Sequence, residues 1–453
     1  MKRIRGLAEE TIFAPSSGNQ KAGVCVIRVS GAGCRKVLDG LVGEPVRARQ
    51  ACLRTLSNTE NGEPIDRCLV LWFPGPSSFT GEDVIELHVH GGRAVIDATL
   101  RTLGNFSGFR LAEPGEFARR AFLNGKLDLS EVEGLADLIN AQTEMQRKLA
   151  LREADGRVKA LYEGWRGRLL HCLSFVEADV DFVDEDDVPD DLGSTISGSL
   201  AELLEDVNKH CANPMQGEVL RQGFRVVLAG VPNVGKSSLL NRIAQREAAI
   251  VTETAGTTRD VVEVFVDLGG YPVVFCDTAG LRGTEDPVER IGVERAVKAV
   301  NEADCVVWMC DERLEWPEAA RSLTDSDAIW IRNKGDLGDP GESAPQRSPV
   351  SLVVSAQSGE GVVDLLALIQ ASASERFELT EDIGVVRQRH AECVTNCAGH
   401  LEAALKLSGQ DHFDTELLAE ELRLAARALA KIGGRIDVED ILDRIFGEFC
   451  IGK

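Results

Sequence analysis

The chain has 453 residues, too many for one ordinary core, and its length predicts two or three domains. Lysine and arginine total 50 against 73 aspartates and glutamates, a formal charge of −23 that excludes a protein wrapping nucleic acid with a broad basic face of its own. If RNA is a partner, local patches or another subunit must hold it.

No run of about 18 apolar residues is suited to a bilayer, and "MKRIRGLAEETIFAP" carries no apolar stretch behind its basic residues. The expectation is a soluble, cytoplasmic chain with no membrane partner. The 12 cysteines form no CxxC pair and no Cys/His cluster of zinc-ligand spacing, a pattern of reduced thiols rather than a disulfide framework.

In residues 1–125 the stretches "VCVIRVSG", "CLVLWFPG" and "DVIELHVHGG" alternate apolar residues between Gly and Pro breaks, and "AVIDATLRTL" follows with helical spacing. They predict an α/β or α+β domain. His88 and His90 of "HVH" share one strand face, but without a third ligand they read as ordinary polar residues. From about residue 126 the period changes: Ala154, Val158, Leu161, Trp165, Leu169, Cys172 and Val176 recur at three and four, predicting one face of a long helix. "EADVDFVDEDDVPDD" holds only acids among its charges and reads as a solvated loop or helix end.

Between 217 and 379 the stretches "RVVLAG", "CVVWMC", "AIWIRNK" and "SLVVSA" predict short buried parallel strands of a doubly wound α/β domain. Beyond it Leu418, Leu422, Ala425, Leu429 and Ile432 form a narrow helix-packing stripe. Helical sequence on both sides, 126–216 and 380–453, predicts one discontinuous helical domain with the α/β domain inserted.

The inserted domain carries the clearest chemistry. "GVPNVGKSS", Gly230 to Ser238, directly follows a strand and opens the helical "SLLNRIA". In that context the loop amides of Asn233, Val234, Gly235, Lys236, Ser237 and Ser238 cradle phosphates, Lys236 reaches the β and γ oxygens, and Ser237 holds magnesium. "DTAG", Asp277, Thr278, Ala279 and Gly280, ends a strand where a magnesium-side aspartate and a γ-phosphate-sensing amide belong. "NKGD", Asn333, Lys334, Gly335 and Asp336, brings a carboxylate able to accept both the N1–H and the exocyclic amine of guanine, so GTP is preferred over ATP. "SAQ", Ser355, Ala356 and Gln357, completes the base pocket, and "GTTRD" supplies Thr258 as a second magnesium-side hydroxyl on a loop that orders with GTP. Leu281 stands where many GTPases carry a glutamine that orients water. Asn233 has two readings: its side-chain oxygen joins carbonyls of "TETAGT" around a monovalent cation, or it only caps the loop.

With these motifs, "SFTGEDVIEL", "PGEF", "RAFLNGKLDL", "AIVTETAGTTRD", "VERIGVERA", "ELLAEELRLA" and the terminal "FCIGK", nearly the whole chain resembles the MnmE (TrmE) family of tRNA-modification GTPases. The resemblance implies an N-terminal domain that forms a homodimer and binds a tetrahydrofolate one-carbon donor, a discontinuous helical domain and a potassium-activated GTPase domain. It also implies a flavin-containing partner subunit carrying FAD, joined in a heterotetramer, and a product with a carboxymethylaminomethyl or aminomethyl group on the wobble uridine of tRNA. By motif, potassium goes to Asn233 with the backbone of Thr252, Thr254 and Thr257, magnesium to Ser237 and Thr258, and the rest of the GTP loop is Glu253, Ala255 and Gly256. The catalytic acid goes to Glu289, acting on water through a bridging water, and the folate contacts to Arg28, Glu86, Lys126 and Lys453. The chain departs from the family in reading "SSGNQKAG" where a "TPPGRGG" turn is frequent, and Glu113 where Arg is frequent.

The tail "FCIGK" does not suit prenylation, because Gly452 and Lys453 replace an aliphatic and a permitted terminal residue. It is expected at the folate pocket, with Phe449 and Ile451 anchored on apolar surface and Cys450 beside the site of modification. A ribosome-assembly GTPase switch is the alternative function, disfavoured by the lack of a basic RNA-binding module after the GTPase domain. A self-assembling structural GTPase is disfavoured by the lack of a coiled-coil or membrane-binding segment.

Overall fold

Period-two alternation in the first hundred residues builds a sheet whose two faces have different tasks. The strands are β1 (Thr11–Pro15), β2 (Ala22–Ser30), β3 (Cys52–Ser57), β4 (Pro64–Phe73), β5 (Val84–Gly91) and β6 (Phe109–Leu111), in the order β3-β4-β5-β2-β1-β6. All neighbours are antiparallel except β1 and β6. Cys25, Ile27 and Val29 of β2 and Ile85, Leu87 and Val89 of β5 face one core with Val37, Leu41 and, from helix α1 (Arg93–Gly104), Leu103. The intervening residues face the other way, and there Arg28 stands opposite Glu86.

The structure, a computed structural model, describes residues 10–18, 21–181, 192–211, 214–231, 233–246, 250–252, 263–277, 299–311, 328–338, 351–376, 387–409, 414–436, 442, 445–447, 449, 451 and 452. They divide into two units, Met1–Ala136 with Arg152–Arg166 and Leu429–Lys453, and Asp137–Leu151 with Gly167–Ala428.

In the first unit, helix α2 (Glu116–Leu123) carries a buried charge network. The Glu116 carboxylate accepts two 2.7 Å hydrogen bonds from Arg110 and one of 3.1 Å from Arg120. Arg120 also donates to Glu82 at 3.0 Å, and the Ser30 hydroxyl donates to Glu82 at 2.8 Å. Burial by itself raises the pKa of Glu116, but the Arg110 hydrogen bonds, the Glu113 amide and the Arg120 charge outweigh it and hold the carboxyl below its usual range.

Helices α3 (Leu129–Asn140), α4 (Glu144–Ala154) and α5 (Arg157–Asp181) follow. The helix predicted to run through Ala154 and Val158 is broken: α4 ends at Ala154, Gly156 takes φ +76°, and α5 starts at Arg157. The buried stripe of α5 is Tyr162, Trp165, Leu169, Cys172 and Val176, whereas Leu161 is exposed. The acidic run is helical as far as Asp181, and 182–191 lie outside the described residues. Helices α6 (Leu192–Cys211) and α7 (Pro214–Gln222) lead to the second sheet.

That sheet contains β7 (Phe224–Gly230), then, beyond helix α8 (Lys236–Arg246), β8 (Ile250–Thr252), β9 (Glu263–Leu268), β10 (Tyr271–Asp277), β11 (Cys305–Cys310), β12 (Ala328–Arg332) and β13 (Leu352–Val353). The order is β13-β12-β11-β7-β10-β9-β8, parallel from β13 to β10 and antiparallel at β9 and β8. Val226, Leu228, Val307 and Met309 share a core with Leu239 and Ile243 of α8 and with Leu365 and Ile369 of helix α9 (Val362–Arg376). Leu149 of α4 joins this core, and the Met145 amide donates to the Gly270 carbonyl in the β9–β10 turn. Helices α10 (Gln388–Ser408) and α11 (Thr415–Ile432) follow, and the predicted stripe Leu418, Leu422, Ala425, Leu429 and Ile432 of α11 is buried throughout. Among the described residues every cysteine is a free thiol, burial pushing Cys68 and Cys397 up to about 12, and no helix is long and apolar enough to cross a membrane.

The network around Glu116 sets a pH expectation. Its folded pKa is depressed, so its contribution is fully present above the unfolded carboxylate value of about 4.3 and is lost as pH falls through the lower folded value. Glu116→Gln removes one partner of a buried pair and is expected to cost about 3 kcal/mol. Hydrogen exchange of β1 and α2 should show the loss at pH 7, and the difference from the unsubstituted chain should shrink in acid.

Candidate nucleotide site and the seat of the C-terminal tail

Parallel strands bring their C-terminal ends to one edge of a sheet, where ligands of such folds bind. At that edge β7 ends at Gly230 and β10 at Asp277, the first residues of their motifs, and β12 ends at Arg332, immediately before Asn333. The loop after β7 is shaped by residues with positive φ: Gly230 (+155°), Asn233 (+65°) and Gly235 (+101°). A Cβ on Gly230 would lie 2.3 Å from the Met309 carbonyl oxygen, and one on Gly235 would lie 2.3 Å from the Asn333 amide nitrogen. The loop therefore passes too close to its neighbours for any side chain at these two positions.

Lys236 opens α8, is buried, and donates to the carbonyls of Gly230 (2.9 Å) and Val231 (3.1 Å), which bends its ammonium back over the loop. Ser237 and Ser238 are exposed at the N-terminal end of α8, Val234 is buried below them, and Asn233 is exposed. Backbone amides at a helix start with a cation folded over them are chemistry for an anion of several oxygens.

Asn333 joins this loop to the other two motifs. Its Nδ2 donates to the Val234 carbonyl at 2.8 Å, and its Oδ1 accepts from the Ala356 amide at 3.0 Å. Lys334 adopts φ +62° and pairs with the buried Asp311 at 3.1 Å, while the Gly335 amide donates to the Val354 carbonyl. The exposed Asp336 accepts from the Ser355 hydroxyl at 2.6 Å, which orients the carboxylate beside Ala356 and Gln357. Two residues that the motifs do not contain support this edge: Arg242 of α8 donates to the carbonyls of Ala356 and Gln357, and Asp311 follows β11. An arginine one helical turn beyond a phosphate loop and an acid at a strand end were the available signals.

Thr252 closes β8 and Asp277 closes β10. Glu253, Thr254, Ala255, Gly256, Thr257, Thr258, Thr278, Ala279, Gly280, Leu281 and Glu289 lie outside the described residues, as do Cys450 and Lys453.

In the first unit, Arg28 and Glu86 pair across β2 and β5 at 2.9 Å, and the guanidinium carbon lies 5.2 Å from the Phe79 ring centre and 5.7 Å from that of Phe117. Lys126 is exposed, with its stem beside Gly81. His88 and His90 share the strand face as expected, but each meets a carboxylate, Glu86 at 3.5 Å and Asp66 at 2.8 Å. No group of three or more potential metal ligands occurs among the described residues.

The tail reaches this unit. Phe449 is buried beside Phe446 in a core with Ala118, Leu129 and Val132. Ile451 forms an antiparallel bridge with Pro114, and the Gly452 carbonyl accepts from the Ser16 hydroxyl at 2.8 Å. The expectation that Ile451 anchors on apolar surface does not hold, since its side chain is 57% exposed and only its backbone is engaged.

Two family models match: the GTP-binding protein TrmE N-terminus over residues 11–126 and the MnmE helical domain over 129–450. The chain is 48% identical to the tRNA modification GTPase MnmE of Parvibaculum lavamentivorans, covering 98% of this chain and all of that one. It is 46% identical to the protein of the same name from Brucella anthropi over the full length of both, and 47% identical to that of Rhizobium etli over 99% of this chain and all of the relative.

The close approach at Gly235 has a measurable consequence. Gly235→Ala combines a disfavoured φ with a clash at Asn333 and is expected to destabilise the loop by about 2 kcal/mol. Equilibrium titration with a fluorescent GDP analogue should show at least about a tenfold loss of affinity, and wild-type binding would contradict the geometry.

Proposed function

Because this chain belongs to the MnmE family of tRNA modification GTPases, we propose that it is the GTP-hydrolysing component of a complex acting on the wobble uridine of certain tRNAs. The complex adds a carboxymethylaminomethyl or aminomethyl group to C5, with a tetrahydrofolate derivative as one-carbon donor. The observation that carries the nucleotide half is the Asn333 carboxamide, which draws the phosphate loop and the base-side loop together.

GTP lies with its phosphates on the Asn233–Ser238 amides under Lys236 and its guanine edge on Asp336, flanked by Lys334 and by Ser355, Ala356 and Gln357. The loop fits a phosphate chain because its glycines leave room only for backbone and because Lys236 already bends over it. Ser237 and Thr258 are the magnesium-side hydroxyls, with Asp277 behind them, and magnesium there offsets charge on the phosphate oxygens. Asn233 holds potassium with the backbone of Thr252, Thr254 and Thr257; its left-handed conformation suits asparagine better than most side chains. Glu253, Ala255, Gly256, Thr278, Ala279 and Gly280 complete the loops facing GTP. With Leu281 in place of a water-orienting glutamine, Glu289 takes the role of organising the attacking water.

Residues 1–125 form the folate-binding and dimerising domain, 126–216 with 380–453 the helical domain, and 217–379 the GTPase domain. Arg28, Glu86, Lys126 and Lys453 contact the folate, and Cys450 lies at the place of modification. Support for this pocket is the Arg28–Glu86 pair on an aromatic floor and the arrival of the tail at Ser16. Val24, Leu53 and Leu69, all more than 40% exposed on the sheet, fit a homodimer contact better than open water. An FAD-bearing subunit completes a heterotetramer in the cytoplasm, and with a chain of net charge −23 the tRNA is held by local patches or by that subunit.

Mass spectrometry of wobble nucleosides from a strain lacking the gene should show loss of the 5-substituted uridines and their return on complementation. An unchanged nucleoside profile would refute the reading. GTP turnover should be on the order of 10²-fold faster in potassium than in sodium, and Asn233→Ala should abolish that difference.

A further inference from the structure

We propose that Ser16 is a positioning residue for the modification chemistry, its hydroxyl clasping the C-terminal tail at Gly452. The consequence for activity rests on the tRNA-modification reading above, whereas the clasp rests on geometry alone.

The turn that carries Ser16 is fixed from beneath. The Ser16 amide donates to the Val26 carbonyl at 2.7 Å, and the Ser17 hydroxyl accepts from the Val26 amide at 3.1 Å. Both serines are thereby tied to β2, and the Ser16 hydroxyl donates to Gly452, 436 residues away, at 2.8 Å. Two residues further along β2 from Val26 stands Arg28, opposite Ala14 of β1 and Glu86 of β5.

On the tail side, anchorage changes kind between Phe449 and Gly452. Phe449 is held by a buried ring, Ile451 by a backbone bridge to Pro114 with its side chain exposed, and Gly452 by no side chain at all. Gly452 has φ +98°, and a Cβ there would lie 1.9 Å from the Pro15 carbonyl oxygen, so the tail backbone lies directly against β1. At such a contact the Ser16 hydrogen bond supplies a directional force. Cys450 and Lys453 are each one residue in sequence from the clasped pair Ile451–Gly452, so a change in the clasp is expected to reach both.

The test uses the full-length chain, with its flavin-containing partner and tRNA for the activity arm, and compares Ser16→Ala, Ser16→Thr and Gly452→Ala. Three quantities are read: amide hydrogen exchange of the 445–453 peptide, kcat and KM for wobble modification, and GTP turnover. Ser16→Ala should speed tail exchange about fivefold, the equivalent of one neutral hydrogen bond, and lower the kcat for modification by at least as much while GTP turnover stays within twofold. Ser16→Thr, which keeps the donor, should stay within twofold of the unsubstituted chain in all three, and Gly452→Ala should free the tail further. Unaltered tail exchange in Ser16→Ala, or equal impairment of Ser16→Thr and Ser16→Ala, overturns the proposal. If the unsubstituted complex does not modify the wobble uridine, the functional reading fails instead, and the tail exchange of Ser16→Ala still decides the clasp.

Discussion

One buried carboxamide organises the nucleotide edge. Asn333 donates to the phosphate loop and accepts from the base-side loop, and its own amide bonds to Cys310 at the end of β11. Asparagine is among the few side chains that donate and accept from one rigid plane. An acid or an aliphatic residue of the same size would leave at least one backbone group unsatisfied, at about 1–3 kcal/mol for each. The glycine at 235 belongs to the same arrangement, since it lets the carboxamide approach, and the left-handed Lys334 then turns the chain so that Asp336 reaches Ser355.

The two sheets present chemistry in opposite ways. The parallel sheet offers its strand ends, where loops expose backbone amides and the side chains mostly brace those loops. The N-terminal sheet offers a face, where Arg28 and Glu86 meet because they are cross-strand partners. Loop sites of the first kind impose residue identity at fixed spacing and are legible in sequence. Val234, Asn333, Asp336, Ser355 and Ala356 belong to motifs of this kind, and hydrogen bonds bring them together at one edge. A pair on a face depends on register, and nothing within β2 or β5 read singly pairs residue 28 with residue 86; the family resemblance names both as folate contacts without pairing them.

Other differences have local causes. β1 escaped the period-two pattern because it is buried on both sides, Phe13 in one core and Ile12 with Ala14 in another. The three- and four-residue spacing from Ala154 onward continued across Asp155–Gly156, since apolar spacing is indifferent to a single backbone break; Gly156 was the only mark of it. Arg242 and Asp311 carry little local sequence signal because each acts on loop residues distant in sequence. Nothing in the sequence of α4 marks Leu149 for the core of the second sheet or Met145 for the hydrogen bond to the β9–β10 turn.

The contact between Ser16 and Gly452 also has a meaning in time. A ribosome adding about 5–20 residues per second delivers the second partner roughly 20–90 s after the first, across the 436 positions between them. Throughout that interval the N-terminal sheet is available to fold while Ser16 and Pro114 still lack their partners from the tail. Closure of this contact is therefore a late event in biosynthesis. A nascent or truncated chain can bring Asn333 against Val234 well before it can seat the tail, so the nucleotide edge and the tail contact are separate in the order of synthesis.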